Sequence, residues 1–206
     1  SWGVDDDTPT LLYVGRVSKE KNLTVLTEAF HELFAEGFRA KLVVIGDGPY
    51  RAEMEAALDG LPVVFTGYLE GDALPTAYAS ADALVFPSTT DTFGNVVLEA
   101  QASGLPVIVT NRGGPQENVV NGETGLVVPA EDVEALREAM ALFVAADRQR
   151  QKMGVAARRS MERRSFDRAF GQLFTMYTRD VDVEEPPLDR IPVVSPAMLD
   201  AAKLAG

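Results

Sequence analysis

Ala83-Leu84-Val85-Phe86-Pro87-Ser88-Thr89-Thr90-Asp91-Thr92-Phe93-Gly94-Asn95-Val96-Val97-Leu98-Glu99 is the stretch from which the fold can be read. Ala83 to Phe86 form a continuous apolar run, as expected of a strand buried on both faces. Pro87 to Thr90 end that run. Asn95 is a good N-cap residue, so a helix is expected to begin near it. A helix start at the carboxyl end of a buried strand is a natural anion site, through its free N–H groups and its dipole. The amides of Gly94 through Val97 would supply those donors, and Gly94 has no side chain to block close approach. Asp91 lies just ahead of the helix, and Glu99 about one turn inside it. The two carboxylates suit hydroxyls on opposite sides of a bound phosphate, a sugar on one side and a ribose on the other. A capped helix with a turn Asp and an exposed Glu fits the same spacing.

Working outward, five more apolar runs read as strands: Leu11–Val14, Lys41–Ile45, Val63–Phe65, Val107–Val109 and Leu126–Val128. Between them, Leu23, Leu26, Phe30, Leu33 and Phe34 follow helical spacing, and so do Val133, Leu136, Met140, Phe143 and Val144. This alternation predicts an α/β fold of βαβ units. The expected architecture is a Rossmann-like three-layer sandwich with a mostly parallel sheet of about six strands. Such sheets bind ligands at the carboxyl ends of their strands. Two long helical patterns follow Glu131, with breaks expected at Gly154 and at Ser165-Phe166-Asp167. The expected organisation is a linker over residues 1–10, one Rossmann-like domain over 11–180, and a Pro-rich acidic tail over 181–206 with a short helix near 197–204.

Other loops at the same predicted edge carry candidate residues. Gly15, Arg16 and Lys21 follow the first strand. An Arg fork and a mobile Lys suit a diphosphate, though taken alone two surface cations paired with Glu20 or Glu28 are the commoner reading of one Arg and one Lys at a loop. Gly46-Asp47-Gly48-Pro49 reads as a structural turn, since Pro49 lacks an N–H. Gly67 and Tyr68 could receive a planar ring or form a plain strand-to-helix turn. Gly113 and Gly114 precede a Pro-started helix, with Glu117 in its first turn. His31, the only histidine, falls on an amphipathic helix away from these loops, so no catalytic histidine base is expected. Arg148 to Arg168 gathers Arg148, Arg150, Lys152, Arg158, Arg159, Arg163, Arg164 and Arg168, read as a solvated basic face.

Composition narrows the function classes. Net charge is −12, which disfavours a nucleic-acid partner. The chain contains no cysteine, which excludes disulfides and thiolate chemistry and fits a cytoplasmic location. No apolar run is long enough to span a bilayer. Ser1-Trp2-Gly3-Val4 resembles neither a signal peptide nor a starting Met, so the sequence is expected to be cut from a longer chain.

Gly15-Arg16 with Lys21, Gly46-Asp47-Gly48-Pro49, Asp91 to Glu99 with Leu98-Glu99-Ala100, Gly104-Leu105-Pro106-Val107, Gly113-Gly114 and Gly122-Glu123-Thr124-Gly125-Leu126-Val127 occur in order. As an ordered set they resemble the family 4 retaining glycosyltransferases of the GT-B fold, from about Leu11 to about Tyr177. The resemblance implies the C-terminal, donor-binding half of that fold. It also implies an N-terminal acceptor domain elsewhere in a longer protein, and glycosyl transfer with retention from a nucleotide-sugar to a hydroxyl acceptor. Arg16 and Lys21 correspond to the cations on the donor diphosphate, and Glu99 to the glutamate on the ribose. Phe93, Gly94, Asn95 and Val96 match the segment holding sugar and phosphate. Gly67, Tyr68 and Leu69 lie where the base sits. Gly15 and Gly114 complete the expected nucleotide contacts. The family pairs two glutamates seven residues apart, but Asp91 stands at the first position, one methylene shorter. Gln101 stands where a Met is common. No metal and no cofactor are implied, and peripheral membrane association of a full-length enzyme is an expectation. The alternatives at this stage are a GT-B sugar-nucleotide epimerase, a phosphorylase with pyridoxal on a lysine, for which no lysine here is a convincing candidate, or a non-catalytic nucleotide-sugar-binding module.

Overall fold

A computed structural model describes residues 8–164. The expected break at 165–167, the end of the domain to 180, the tail over 181–206 and Arg168 lie outside the described residues. So does most of the linker.

All six expected strands form. They are β1 (Thr10–Val14), β2 (Lys41–Ile45), β3 (Val63–Gly67), β4 (Ala83–Phe86), β5 (Val107–Thr110) and β6 (Gly125–Val128). β1 starts at Thr10, so the domain begins one residue inside the expected linker. The sheet order is β3-β2-β1-β4-β5-β6. Every strand pair in it is parallel, a stronger result than the mostly parallel sheet expected. β1, β2, β4 and β5 are buried along their whole length, because helices cover both faces. β3 and β6, at the two edges, are half-buried.

The helices are α1 (Leu23–Ala35), α2 (Arg51–Ala57), α3 (Ala73–Ala79), α4 (Asn95–Ala102), α5 (Val133–Ala145) and α6 (Asp147–Arg163). α1 packs on α2 and α5, and α4 packs on α6. The apolar stripe of α1 (Leu23, Leu26, Phe30, Leu33) is buried, as its spacing requires. His31 lies on its exposed side. In this strand order the direction of connection reverses between β1 and β4. The loops at their carboxyl ends diverge there and open a crevice.

Four local expectations are corrected. Gly94, not Asn95, caps α4; its φ is 79°, and Asn95 is the first helical residue. A glycine takes that backbone conformation without a Cβ penalty, and it supplies no side-chain cap to the first amides of α4. Second, Gly154 does not break a helix. The break falls at Ala146, and α6 runs through Gly154. A Cβ at Gly154 would lie 2.2 Å from the Gly104 carbonyl oxygen, so the glycine lets α6 close onto the turn after α4. Third, Arg150 is not part of a solvated basic face. It is 7% exposed, and its guanidinium binds Asp82 and Asp147 at 3.0 and 2.7 Å. The segment after Gly114 is also shorter than a helix proper. It is a single 3-10 turn, Pro115–Asn118.

Candidate functional site: a cleft at the β1 and β4 strand ends

A cleft of about 530 Å³ opens where β1 and β4 diverge. Its floor is Tyr13, Val14 and Phe86, which end the two strands. The rings of Tyr13 and Phe86 stack with centroids 6.1 Å apart. Gly15, Arg16 and Lys21 form one wall. Asp91, Phe93, Gly94, Asn95, Val96 and Glu99 form the other. Residues 70 or more apart in sequence thus meet because each follows a strand beside the reversal point. The helix start is incompletely satisfied. Val97 donates to the Gly94 carbonyl at 3.0 Å, which removes it from the expected set of free amides. Among the described residues, the Asn95 and Val96 amides, in the first turn of α4, have no hydrogen-bond acceptor.

The charged side chains are paired with each other. Lys21 Nζ donates to Asp91 Oδ2 at 2.9 Å, and the Ser88 hydroxyl donates to the same oxygen. Arg16 lies 3.5 Å from Glu20, with both side chains more than half exposed, so its head is free to turn toward a ligand. Tyr78 donates to Glu99 Oε2 at 2.8 Å. Burial and that hydrogen bond to a carboxylate push the Tyr78 phenol up from its ordinary value. Burial, then the Asp91 charge, does the same for Tyr13, whose hydroxyl donates to the Arg16 carbonyl at 2.9 Å. Both phenols stay protonated in the fold, while those of the unfolded chain ionise near pH 10.0. The stability they contribute is therefore complete below pH 10 and is lost as pH rises above it.

A second hollow, of about 460 Å³, is lined by Leu69, Gly71, Leu74, Pro75, Tyr78, Glu99, Ala102 and Ser103. It is mostly apolar, and Glu99 lines both it and the cleft. Leu69 thus falls in the hollow rather than the cleft. Gly67 and Tyr68 line neither. Tyr68 is 71% exposed, and its hydroxyl donates to the Asp47 carbonyl. Gly114 lies beneath the loop: a Cβ there would stand 1.8 Å from the Thr92 carbonyl oxygen. Glu117 is exposed on the 3-10 turn.

The loop from Ser88 to Gly94 is held through its main chain. Thr110 Oγ1 donates to the Ser88 carbonyl at 3.1 Å. The Gly114 amide donates to the Asp91 carbonyl at 2.9 Å, and Asn118 Nδ2 to the Phe93 carbonyl at 2.6 Å. Gln101 is fully buried and donates to the Asn118 carbonyl at 3.1 Å, a polar tie behind this loop. Tyr13, Ser88, Tyr78, Thr110 and Asn118 were not singled out in the sequence. Ser88 carried a signal, as a hydroxyl at the carboxyl end of a buried strand. Tyr78 and Asn118 carried none, because a side-chain bond between distant elements has no sequence period.

The family model described as "Glycosyl transferases group 1" matches residues 1–160. The chain belongs to this family. Among group 1 relatives, the Arabidopsis thaliana protein named sulfoquinovosyl transferase SQD2 is 38% identical over 162 residues, covering 77% of this chain and 31% of that protein. A Mycobacterium tuberculosis protein named GDP-mannose-dependent alpha-mannosyltransferase is 39% identical over 173 residues, covering 84% of this chain and 43% of that protein. The chain therefore spans less than half the length of these relatives. The solved C-terminal domain of a group 1 protein from Francisella tularensis superposes with a TM-score of 0.68 at 23% identity, covering 77% of this chain and 88% of that one. The expected GT-B C-terminal fold is thereby established for this group 1 domain. Within it, Tyr78→Phe is expected to weaken nucleotide binding about threefold to fivefold, since one hydrogen bond orienting Glu99 is lost. Titration calorimetry checks this, and an unchanged affinity would show that Glu99 needs no such support.

Proposed function

We propose that this chain is the donor-binding domain of a nucleotide-sugar-dependent glycosyltransferase that acts with retention on a hydroxyl acceptor. One observation carries the reading. Two cations, the open amides of a helix start and the carboxylates of Glu20, Asp91 and Glu99 converge on a single cleft at the reversal point of the sheet, beside an apolar hollow. The diphosphate lies against Arg16, Lys21 and the Asn95 and Val96 amides. Glu99, at the junction of cleft and hollow, accepts from the ribose. The base enters the hollow along Leu69. Asp91 and Phe93 face the sugar.

In the transfer, the bond between the anomeric carbon and the diphosphate oxygen breaks, and its electron pair leaves with the nucleotide. The acceptor oxygen bonds to the anomeric carbon, and its proton passes to the departing diphosphate oxygen. Charge builds on the leaving diphosphate, and fixed positive groups placed there lower the barrier. Arg16, Lys21 and the helix start supply that charge without a metal. The acceptor is held by a second domain of the longer protein, so the chain alone is expected to bind donor and to transfer little.

Titration calorimetry with GDP, UDP and ADP, and with their hexose conjugates, tests the reading. GDP comes first, because four of the relatives are named as GDP-mannose-dependent. Saturable binding to one of the three is expected. Lys21→Met is expected to weaken it about tenfold, the worth of a charge-assisted hydrogen bond. Folded protein that binds none of them would refute the donor site.

A further inference from the structure

We propose that Asp91 sets the balance between sugar-bearing and sugar-free nucleotide in this cleft by disfavouring the bare nucleoside diphosphate. The inference rests on the donor-site reading above. Asp91 Oδ2 accepts from both Lys21 Nζ and the Ser88 hydroxyl. Among the described residues Asp91 Oδ1 has no hydrogen-bond partner, and the residue lines the cleft. The pair is largely shielded, with side-chain exposures of 19% for Lys21 and 26% for Asp91. One carboxylate thus holds the phosphate-seeking ammonium with one oxygen and keeps the other for a hydroxyl.

The two ligands meet this arrangement differently. A nucleoside diphosphate ends in a free terminal phosphate and carries about one more negative charge near neutral pH. It offers no hydroxyl at that end. It must approach an ammonium already half neutralised, with a carboxylate beside it. Like charges a few ångströms apart at a partly shielded site shift affinity by one to two powers of ten. Salt and the open cleft leave roughly one of them. A nucleotide-sugar replaces the extra charge with a neutral ring whose hydroxyl can donate to Oδ1. The carboxylate therefore opposes the spent nucleotide and accepts from the loaded one, which favours release after transfer.

The experiment compares wild type, Asp91→Asn and Asp91→Glu by calorimetry, with Asp91→Ser as a second neutral variant should Asp91→Asn not fold. The ligands are GDP and GDP-mannose, UDP and UDP-glucose, ADP and ADP-glucose, using the pair that wild type binds. The neutral variant is expected to bind the bare diphosphate about tenfold tighter, and the nucleotide-sugar no tighter than wild type. Added salt should shrink that gain. Asp91→Glu retains the charge, so its affinity for the diphosphate should stay within about threefold of wild type. Equal changes for both ligands would overturn the proposal. So would a loss confined to the nucleotide-sugar with the diphosphate unchanged, which would make Asp91 a plain sugar contact. Failure of folded wild type to bind any pair would overturn the donor-site reading, and this inference with it.

Discussion

Arg150→Met is expected to lower the unfolding free energy by about 2–4 kcal/mol and the melting temperature by roughly 5–10 °C. The guanidinium joins three elements. NH2 binds Asp82 Oδ1 at 3.0 Å, just before β4, and Asp147 Oδ1 at 2.7 Å, at the start of α6. NH1 donates to the Phe143 carbonyl in the last turn of α5. Asp82 uses its other oxygen to accept from the Thr10 amide at 2.8 Å, so the chain of contacts ends on the first residue of β1. Methionine fills similar space but leaves a carbonyl and two carboxylates without their partner. The larger costs known for broken buried pairs are moderated here. The Asp82 and Asp147 side chains are 35% and 58% exposed and regain some water. All these contacts lie at the amino ends of the strands, away from the cleft. Nucleotide affinity should therefore be unchanged at a temperature where the variant is folded. A melting temperature within about 2 °C of wild type would show that the cluster contributes little.

Gly114→Ala is expected to reduce nucleotide binding by at least about a hundredfold and to cost about 1–3 kcal/mol of stability. The backbone itself does not forbid alanine, since φ at Gly114 is −76°. The obstacle is space. The new methyl would stand 1.8 Å from the Thr92 carbonyl oxygen, 2.5 Å from its carbon and 3.1 Å from the Phe93 nitrogen. None of these atoms belongs to a flexible side chain, so the loop must shift as a unit. The shift displaces Asp91, Phe93 and the start of α4 together. Calorimetry and a melting curve on the same sample check both effects. Near-normal affinity would mean that the loop yields without disturbing the cleft.

The fold was legible because continuous apolar runs mark buried parallel strands, and Lys41–Ile45 and Ala83–Phe86 end where their runs end. The corrections share one cause. Gly154 and Arg150 look like a helix breaker and a surface cation by local preference, and both are overruled by what packs against them. At the site, Arg16, Lys21, Asp91 and Glu99 were legible as a set because each follows a strand at the same edge, and the sheet order brings them to one cleft. The pairings within the set were not. Lys21 with Asp91 and Tyr78 with Glu99 are separated by 70 and 21 residues, and only the folded geometry shows which cation meets which carboxylate.

The three bonds that hold the loop from Ser88 to Gly94 end on main-chain carbonyls of Ser88, Asp91 and Phe93. A carbonyl is present whatever the side chain. Ser88, Thr90 and Asp91 add ties through their own side chains, and Gly94 is fixed by its φ of 79°, so the freedom to vary falls on the remaining positions. On the donor-site reading, Thr92 and Phe93, which line the cleft, could be randomised to alter which sugar is preferred, with Thr110, Gly114 and Asn118 left fixed as the frame. A lineage could change its sugar by the same route, through single substitutions that leave the path of the chain intact.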